Sequence, residues 1–144
     1  MKNVFLFLLF LFVTKLALAQ DISGYWKGIT TQNEGAYTDE YVFELWLSQK
    51  EDSIIGRAFV FVDSIYAEMN VSGTIENGIH LYIHDDEIVN HEELQGMEWC
   101  IKTYQLLLKQ LDGVWKLEGN WQGVTSFSSC TPGRIYLKKT IPRA

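Results

Sequence analysis

All three histidines of the chain and six carboxylates lie between His80 and Glu98. Imidazole and carboxylate groups are ligands for divalent metal ions, so this segment has to be considered as a metal site. In an extended strand, however, His80 and His84 would lie about 13 Å apart, which is too far to share one ion. The run Asp85-Asp86-Glu87 also lacks the glycine-containing pattern of a calcium loop. We therefore expect a solvated acidic loop at residues 86–98, with no metal site and no cofactor.

Nucleophilic catalysis is not indicated by any motif. The chain has no Gly-x-Ser-x-Gly sequence, which would place a serine nucleophile on a sharp turn. The serines at positions 126, 128 and 129 form an ordinary polar cluster in a predicted loop. No catalytic residue is predicted, and a hydrolytic enzyme is the least favoured interpretation.

A set of aromatic and cationic residues suits ligand binding better. Rings supply contact area at low entropic cost, and cations orient an anionic or hydroxyl-rich group. The predicted ligand-binding residues, which should converge at one end of the fold, are Tyr41, Trp99, Lys102, Trp121 and Arg134. Two alternatives stay open. A small barrel can fill its interior with side chains and leave no pocket, and an inward lysine can pack its stem while its ammonium reaches water.

Alternation of apolar and polar residues predicts the elements that would position this set. Candidate strands cover residues 22–31, 40–49, 54–62, 66–75, 79–85, 99–109, 114–121 and 134–140. No stretch shows sustained helical periodicity. Within the second, fifth and seventh strands the alternation points Phe43, Leu81 and Leu117 inward. The sequence therefore predicts an all-β domain of eight strands.

The turns between these strands predict how the sheet closes. Asn77-Gly78 and Asp112-Gly113 are strong hairpin signals, and both fall at the same end of an up-and-down arrangement. The long connections at residues 32–39, 86–98 and 122–133 fall at the other end. We expect an eight-stranded antiparallel up-and-down β-barrel with one plain end and one elaborated end. An outer-membrane barrel is disfavoured because outward positions carry charges in mid-strand.

The two cysteines, Cys100 and Cys130, lie at the elaborated end in this arrangement. An even number of cysteines in an exported protein favours a disulfide. We predict a Cys100–Cys130 bond at the end that bears the long loops. Two free buried thiols are the alternative.

The opening run Gly24-Tyr25-Trp26-Lys27-Gly28 resembles the first strand of lipocalin- and avidin-like barrels, the calycins. The stretch from Cys130 to Leu137, together with Trp99-Cys100, is similar to secreted bacterial proteins of about this size whose role is not known. The resemblance implies an eight-stranded barrel that often holds a ligand, but it implies no particular ligand or binding residue. The tryptophan between the two glycines is expected to be buried in the lower or middle barrel.

The first 19 residues are predicted to be a removable export signal. They comprise a basic start at Lys2, an apolar run over residues 4–13 and the sequence Ala17-Leu18-Ala19, which signal peptidase accepts. The apolar run is shorter than the roughly 20 residues of a membrane span. A lipid anchor is disfavoured because no cysteine lies near the cleavage site. We therefore expect a signal peptide at 1–19, a single barrel domain at 20–144, a periplasmic or extracellular location, and no membrane span after signal removal.

Charge narrows the range of partners. The chain has a net charge of −6, and loss of Lys2 and Lys15 with the signal would leave the domain near −8. Such a domain is a poor partner for nucleic acid or anionic lipid, both of which require basic contacts. Residues 58–101 contain nine acids and no Lys or Arg, whereas residues 102–144 contain seven bases and two acids. One side of the barrel should therefore be acidic and the other basic.

Two functions remain in competition. The first is a secreted or periplasmic module that binds a small molecule or glycan at the open end of the barrel. The second is a protein-interaction module, such as a hydrolase inhibitor, that acts through its top loops. A cavity at the elaborated end would favour the first function, and a filled barrel with protruding loops would favour the second.

Overall fold

A computed structural model describes residues 20–33, 36, 38–93 and 96–141. Eight strands follow one another in the chain: β1 (Gly24–Thr31), β2 (Glu40–Lys50), β3 (Ser53–Val62), β4 (Ile65–Glu76), β5 (His80–His91), β6 (Ile101–Leu111), β7 (Val114–Val124) and β8 (Gly133–Thr140). Each strand pairs antiparallel with the next, and β1 pairs with β8, so the sheet closes into a barrel. The predicted all-β up-and-down barrel is confirmed. The predicted signal peptide lies outside the described residues.

The tight turns form as their sequences predict. Asn77 and Gly78 have φ angles of 53° and 71°, and Asp112 and Gly113 have φ angles of 52° and 76°. Two successive residues with positive φ match the right-handed twist of the flanking strands, which is why Asn-Gly and Asp-Gly are favoured there. Both turns lie at the same end of the barrel, which we call the closed end. The opposite end, which carries the connections after β1, β3, β5 and β7, is called the open end.

The closed end is sealed by the segment that precedes β1. Ile22 and Trp26 are both fully buried, and the Trp26 indole N–H donates a hydrogen bond of 2.9 Å to the Ile22 carbonyl. The Ile22 N–H in turn donates to the Gln49 side chain. The predicted burial of Trp26 is confirmed. Inward residues of the strands, including Phe43, Leu81 and Leu117, form one continuous apolar core above this plug.

The fifth strand is the main difference from the predicted elements. β5 continues to His91 and pairs with β4 as far as Ala67, so the expected loop at residues 86–98 is wrong over residues 86–91. The pairing is interrupted by two register shifts, between Glu68 and Met69 and between Asn70 and Val71. β-Bulges of this kind break the alternation and bend the strand, which is why the acidic residues did not look like a strand.

The disulfide between Cys100 and Cys130 is present at the open end, as predicted, and the described residues contain no free cysteine. It joins the segment before β6 to the segment before β8, and so ties together two of the long connections. In the described part of the chain, no helix is long and apolar enough to cross a membrane.

Candidate functional site

A cavity of about 280 Å³ opens at the disulfide-bearing end of the barrel. Its lining is mainly apolar, with a few polar groups, as is typical of small-molecule sites. The apolar lining consists of Ala36, Val60, Val62, Met97, Trp99, Trp121, Phe127 and the disulfide, and the polar lining includes Thr30, Gln32, Tyr41, Glu98, Lys102, Ser128 and Ser129.

Four of the five predicted ligand-binding residues line this cavity: Tyr41, Trp99, Lys102 and Trp121. They come from β2, β6, β7 and the segment before β6, so strands distant in the sequence converge as expected. Their role in binding stays a prediction.

The fifth residue, Arg134, does not lie at the cavity, and its predicted place there is wrong. Arg134 is exposed, and its guanidinium donates hydrogen bonds to the Tyr136 hydroxyl at 3.0 Å and the Asn120 side-chain oxygen at 2.6 Å. Gly133, Ile135 and Leu137 take the inward positions of β8. Alternation therefore turns the arginine to the outer face of the barrel.

The two cavity tryptophans are held by backbone carbonyls. The Trp99 indole N–H donates to the Glu92 carbonyl at 2.8 Å, and the Trp121 indole N–H donates to the Thr31 carbonyl at 2.9 Å. Gly133 permits the second arrangement, because a Cβ atom at this position would lie 1.7 Å from the Thr31 carbonyl oxygen. Each ring is thus fixed by a polar bond at its edge and leaves its apolar face for packing.

Hydrogen bonds hold the rim of the cavity together. The Glu98 carboxylate accepts hydrogen bonds from the Ser126 backbone N–H at 2.8 Å and the Ser126 hydroxyl at 2.6 Å. These hydrogen bonds lower the pKa of Glu98. The Tyr41 hydroxyl donates to the Gln32 side-chain oxygen, and the Gln32 amide donates to the Thr131 carbonyl at 3.0 Å. The rim is therefore a connected structure, although its residues come from connecting segments.

Lys102 is the most unusual polar group of the lining. Its side chain is only 5% exposed, so the alternative in which the ammonium reaches bulk water is not supported. Nζ donates a hydrogen bond of 3.1 Å to the Cys100 carbonyl and lies 5.8 Å from the centre of the Trp121 ring. Burial lowers the pKa of the Lys102 amine, and the nearby Asp85 carboxylate acts in the opposite direction.

Asp85 is the buried counter-charge of Lys102, and we did not predict it. One carboxylate oxygen, Oδ2, lies 3.7 Å from Lys102 Nζ and accepts the Lys102 backbone N–H at 2.8 Å. The other oxygen, Oδ1, accepts the hydroxyl of Tyr104. Tyr104 is fully buried, and this burial, with the charge of Asp85, raises the pKa of its hydroxyl well above the usual range.

The bulge in β5 explains why a carboxylate occupies this position. Asp85 pairs with Val71 and Glu87 pairs with Asn70, so Asp86 is the extra residue. Pairing between β5 and β6 ends at His84 and Thr103. Beyond that point the Asp85 side chain takes the place of the β5 backbone as the partner of the Lys102 N–H. The signal was present in the sequence, because Leu81 and Ile83 point inward and Asp85 has the same parity.

The histidines offer no comparable arrangement. His84 Nε2 lies 2.9 Å from Asp86 Oδ1 and 3.3 Å from Ser72 Oγ, and the histidine side chain is 55% exposed. In Ser–His–carboxylate catalysis the two partners contact opposite ring nitrogens, whereas here both contact the same one. Nowhere in the described ranges do three His, Cys, Asp or Glu side chains come close enough together to hold a metal ion.

In comparisons with known proteins, no family model matches the sequence, and no curated protein gives a significant match.

Proposed function

We propose that the protein binds a small molecule in the cavity at the open end of the barrel. The observation that carries this proposal is the combination, in one cavity, of two fixed tryptophan rings and a buried amine, Lys102. Polar groups inside small barrels are costly unless they are paired. An amine that makes one hydrogen bond beside a cavity is suited to contact a further acceptor.

The size of the cavity limits the ligand. A volume of about 280 Å³ lies at the lower end of the range of small-molecule sites, which is roughly 300–1,000 Å³. One or two rings fit such a space, and a long-chain lipid does not. The apolar walls favour a ligand whose body is a ring or a branched hydrocarbon.

The charges around Lys102 favour an uncharged ligand. Asp85 already balances the charge of Lys102, so an anionic ligand would add an unbalanced negative charge to a buried site. Arg134, the second cation that we expected to orient an anion, lies on the outer face. The preferred polar group of the ligand is therefore a neutral acceptor, such as a carbonyl or hydroxyl oxygen.

The test is a binding screen with benzyl alcohol, benzaldehyde, benzoate and simple sugars, read by tryptophan emission and thermal shift. Val62→Phe should fill the cavity and abolish the response. Val42→Phe is the matched control, because Val42 is 44% exposed on the outer face of β2 and does not line the cavity. A response that Val62→Phe leaves unchanged, or no response to any compound, would contradict the proposal.

A protein-interaction module is the second candidate, favoured by the apolar residues that protrude around the same end. Phe127 is 71% exposed, Val124 54% and Met97 41%. Exposed apolar groups next to each other indicate an interaction surface when they form a contiguous patch. Val124→Ser should then abolish capture of a partner and leave the binding of benzyl alcohol intact, because Val124, unlike Phe127 and Met97, does not line the cavity.

We also propose that the fold is calycin-like and that the protein is exported. The closed eight-stranded barrel supports a calycin-like assignment, and the Cys100–Cys130 disulfide supports residence in an oxidising compartment. N-terminal sequencing of the protein secreted by a bacterial host tests export, and a first residue other than Gln20 would contradict the predicted cleavage site.

A further inference from the structure

The chemical environment of Lys102 favours a reaction as well as a contact. Lys102 is the only lysine that lines the cavity among the residues that the structure describes. We propose that its Nζ forms a reversible imine with the aldehyde or ketone group of a small uncharged ligand. This inference rests on the proposed function, because it concerns the same cavity, and it names the class of ligand.

An amine must lose its proton before it attacks a carbonyl carbon, and lysines do so when they are desolvated in apolar surroundings. The Lys102 side chain is 5% exposed and makes a single hydrogen bond, to the Cys100 carbonyl. The lowered pKa of the amine is consistent with this environment.

Asp85 balances the charge of the ammonium without a hydrogen bond to it, because the two carboxylate oxygens already accept other hydrogen bonds. Oδ1 accepts the Tyr104 hydroxyl, and Oδ2 accepts the Lys102 backbone N–H. The distance of 3.7 Å between Nζ and Oδ2 exceeds hydrogen-bond length. The carboxylate therefore does not hold the ammonium by a hydrogen bond, and a movement of Nζ by about 0.5 Å would bring the two groups within the reach that proton transfer requires.

The reaction balances without any further reagent. The ammonium first gives a proton to Asp85, and the lone pair of the neutral amine forms a C–N bond as the carbonyl π pair moves to oxygen. The carbinolamine then loses its oxygen as water, which takes one proton back from Asp85 and the second from the former amine nitrogen. The products are a protonated imine, whose charge Asp85 balances, and water, and nothing is oxidised or reduced. Asp85 holds and moves the proton, Tyr104 positions Asp85 through its hydrogen bond, and Lys102 is the nucleophile.

The experiment uses the purified, disulfide-bonded protein with benzaldehyde and sodium cyanoborohydride, which reduces an imine to a stable amine. Peptide mapping by mass spectrometry should locate one benzyl adduct at Lys102, formed at least ten times faster than at Lys109. Lys109 is a matched control, because it lies on the same strand with a side chain 45% exposed and an ion pair to Glu118. Lys102→Arg should remove the adduct, and Lys109→Arg should not.

Excess benzyl alcohol, which fits the same cavity and cannot form an imine, should slow labelling of Lys102 in the unsubstituted protein. This arm does not depend on whether Lys102→Arg folds. If benzyl alcohol shifts tryptophan emission but benzaldehyde labels Lys102 no faster than Lys109, the imine is refuted and the binding proposal stands. If benzyl alcohol produces no shift and all lysines are labelled alike, both are refuted.

Discussion

Replacement of Asp85 by asparagine should destabilise the protein by about 3–5 kcal/mol, because it leaves the Lys102 ammonium buried without a counter-charge. Both side chains are inside the barrel, with exposed fractions of 0% for Asp85 and 5% for Lys102. At the observed separation of 3.7 Å, an effective dielectric constant of about 20 gives an attraction of about 4 kcal/mol. Asparagine keeps the shape of the side chain, so the loss of stability reflects the missing charge more than a change in packing.

Removal of both charges should recover much of this loss. In the double variant Asp85→Asn/Lys102→Met, the methionine fills the space of the lysine stem and leaves no buried charge. The free energy of unfolding should then fall by only about 1–2 kcal/mol, because apolar replacement of a buried ion pair is often close to neutral. The single variant Lys102→Met completes the cycle, and any cost that it carries adds to the difference between the other two, so the coupling energy should be at least about 2–3 kcal/mol.

The assay is urea unfolding with the disulfide intact, followed by tryptophan emission at neutral pH and at about pH 9. Because burial lowers the pKa of Lys102 in the folded protein, the unfolded protein binds the proton more tightly between that pKa and 10.5. Stability should therefore rise with pH in this window, and more so in Asp85→Asn. Tyr104 acts in the opposite direction above its ordinary pKa of 10.0, so the measurement stays below that pH.

Two results would refute this reasoning. A coupling energy within about 0.5 kcal/mol of zero would show that the two charges do not stabilise one another. A free energy of unfolding of Asp85→Asn that does not rise with pH would show that Lys102 is not a desolvated amine in that variant.

Three further predictions concern the frame of the site. Trp26→Ala should cost about 3–5 kcal/mol in urea unfolding, because the ring is fully buried at the closed end; a loss below about 1 kcal/mol would contradict this. Cys100→Ser with Cys130→Ser should cost about 3–4 kcal/mol through the entropy of loop closure, and thiol titration of the unfolded, non-reduced protein should detect no free thiol. Gly133→Ala would place a Cβ atom 1.7 Å from the Thr31 carbonyl oxygen, which accepts the Trp121 hydrogen bond. This substitution should therefore cost about 1–3 kcal/mol and change the emission of Trp121. Unchanged emission would show that β8 adjusts without moving the ring.

Local signals predicted most of the barrel. The Asn77-Gly78 and Asp112-Gly113 turns are determined by the backbone angles that these residues tolerate, so they could be located without tertiary information. Alternation then predicted inward residues that are buried, such as Phe43, Leu81 and Leu117, and the same parity predicted an inward Lys102.

The errors arose where alternation was not followed or was interrupted. Arg134 was grouped with the cavity because it begins a strand at the open end, although Ile135 as an inward residue requires Arg134 to point outward. Asp85 was placed at the end of the fifth strand but was not predicted to point inward, because it opens a run of three acids that looks solvated. The bulge at Asp86 separates an inward aspartate from the exposed acids that follow it. Bulges depend on pairing between strands, and a single sequence does not display that pairing.

Stability alone does not account for the Lys102–Asp85 pair. Burial of two charges brings little or no net stabilisation over apolar residues of the same volume, so a filled apolar barrel would fold at least as well. The pair also lies where the pairing of β5 with β6 ends and the cavity begins, and it holds an amine 5.8 Å from the centre of the Trp121 ring. The double variant Asp85→Asn/Lys102→Met separates the two roles. A protein that keeps its fold and loses its response to benzaldehyde would show that the pair serves ligand recognition, whereas retention of both would show that the cavity recognises its ligand through the rings alone.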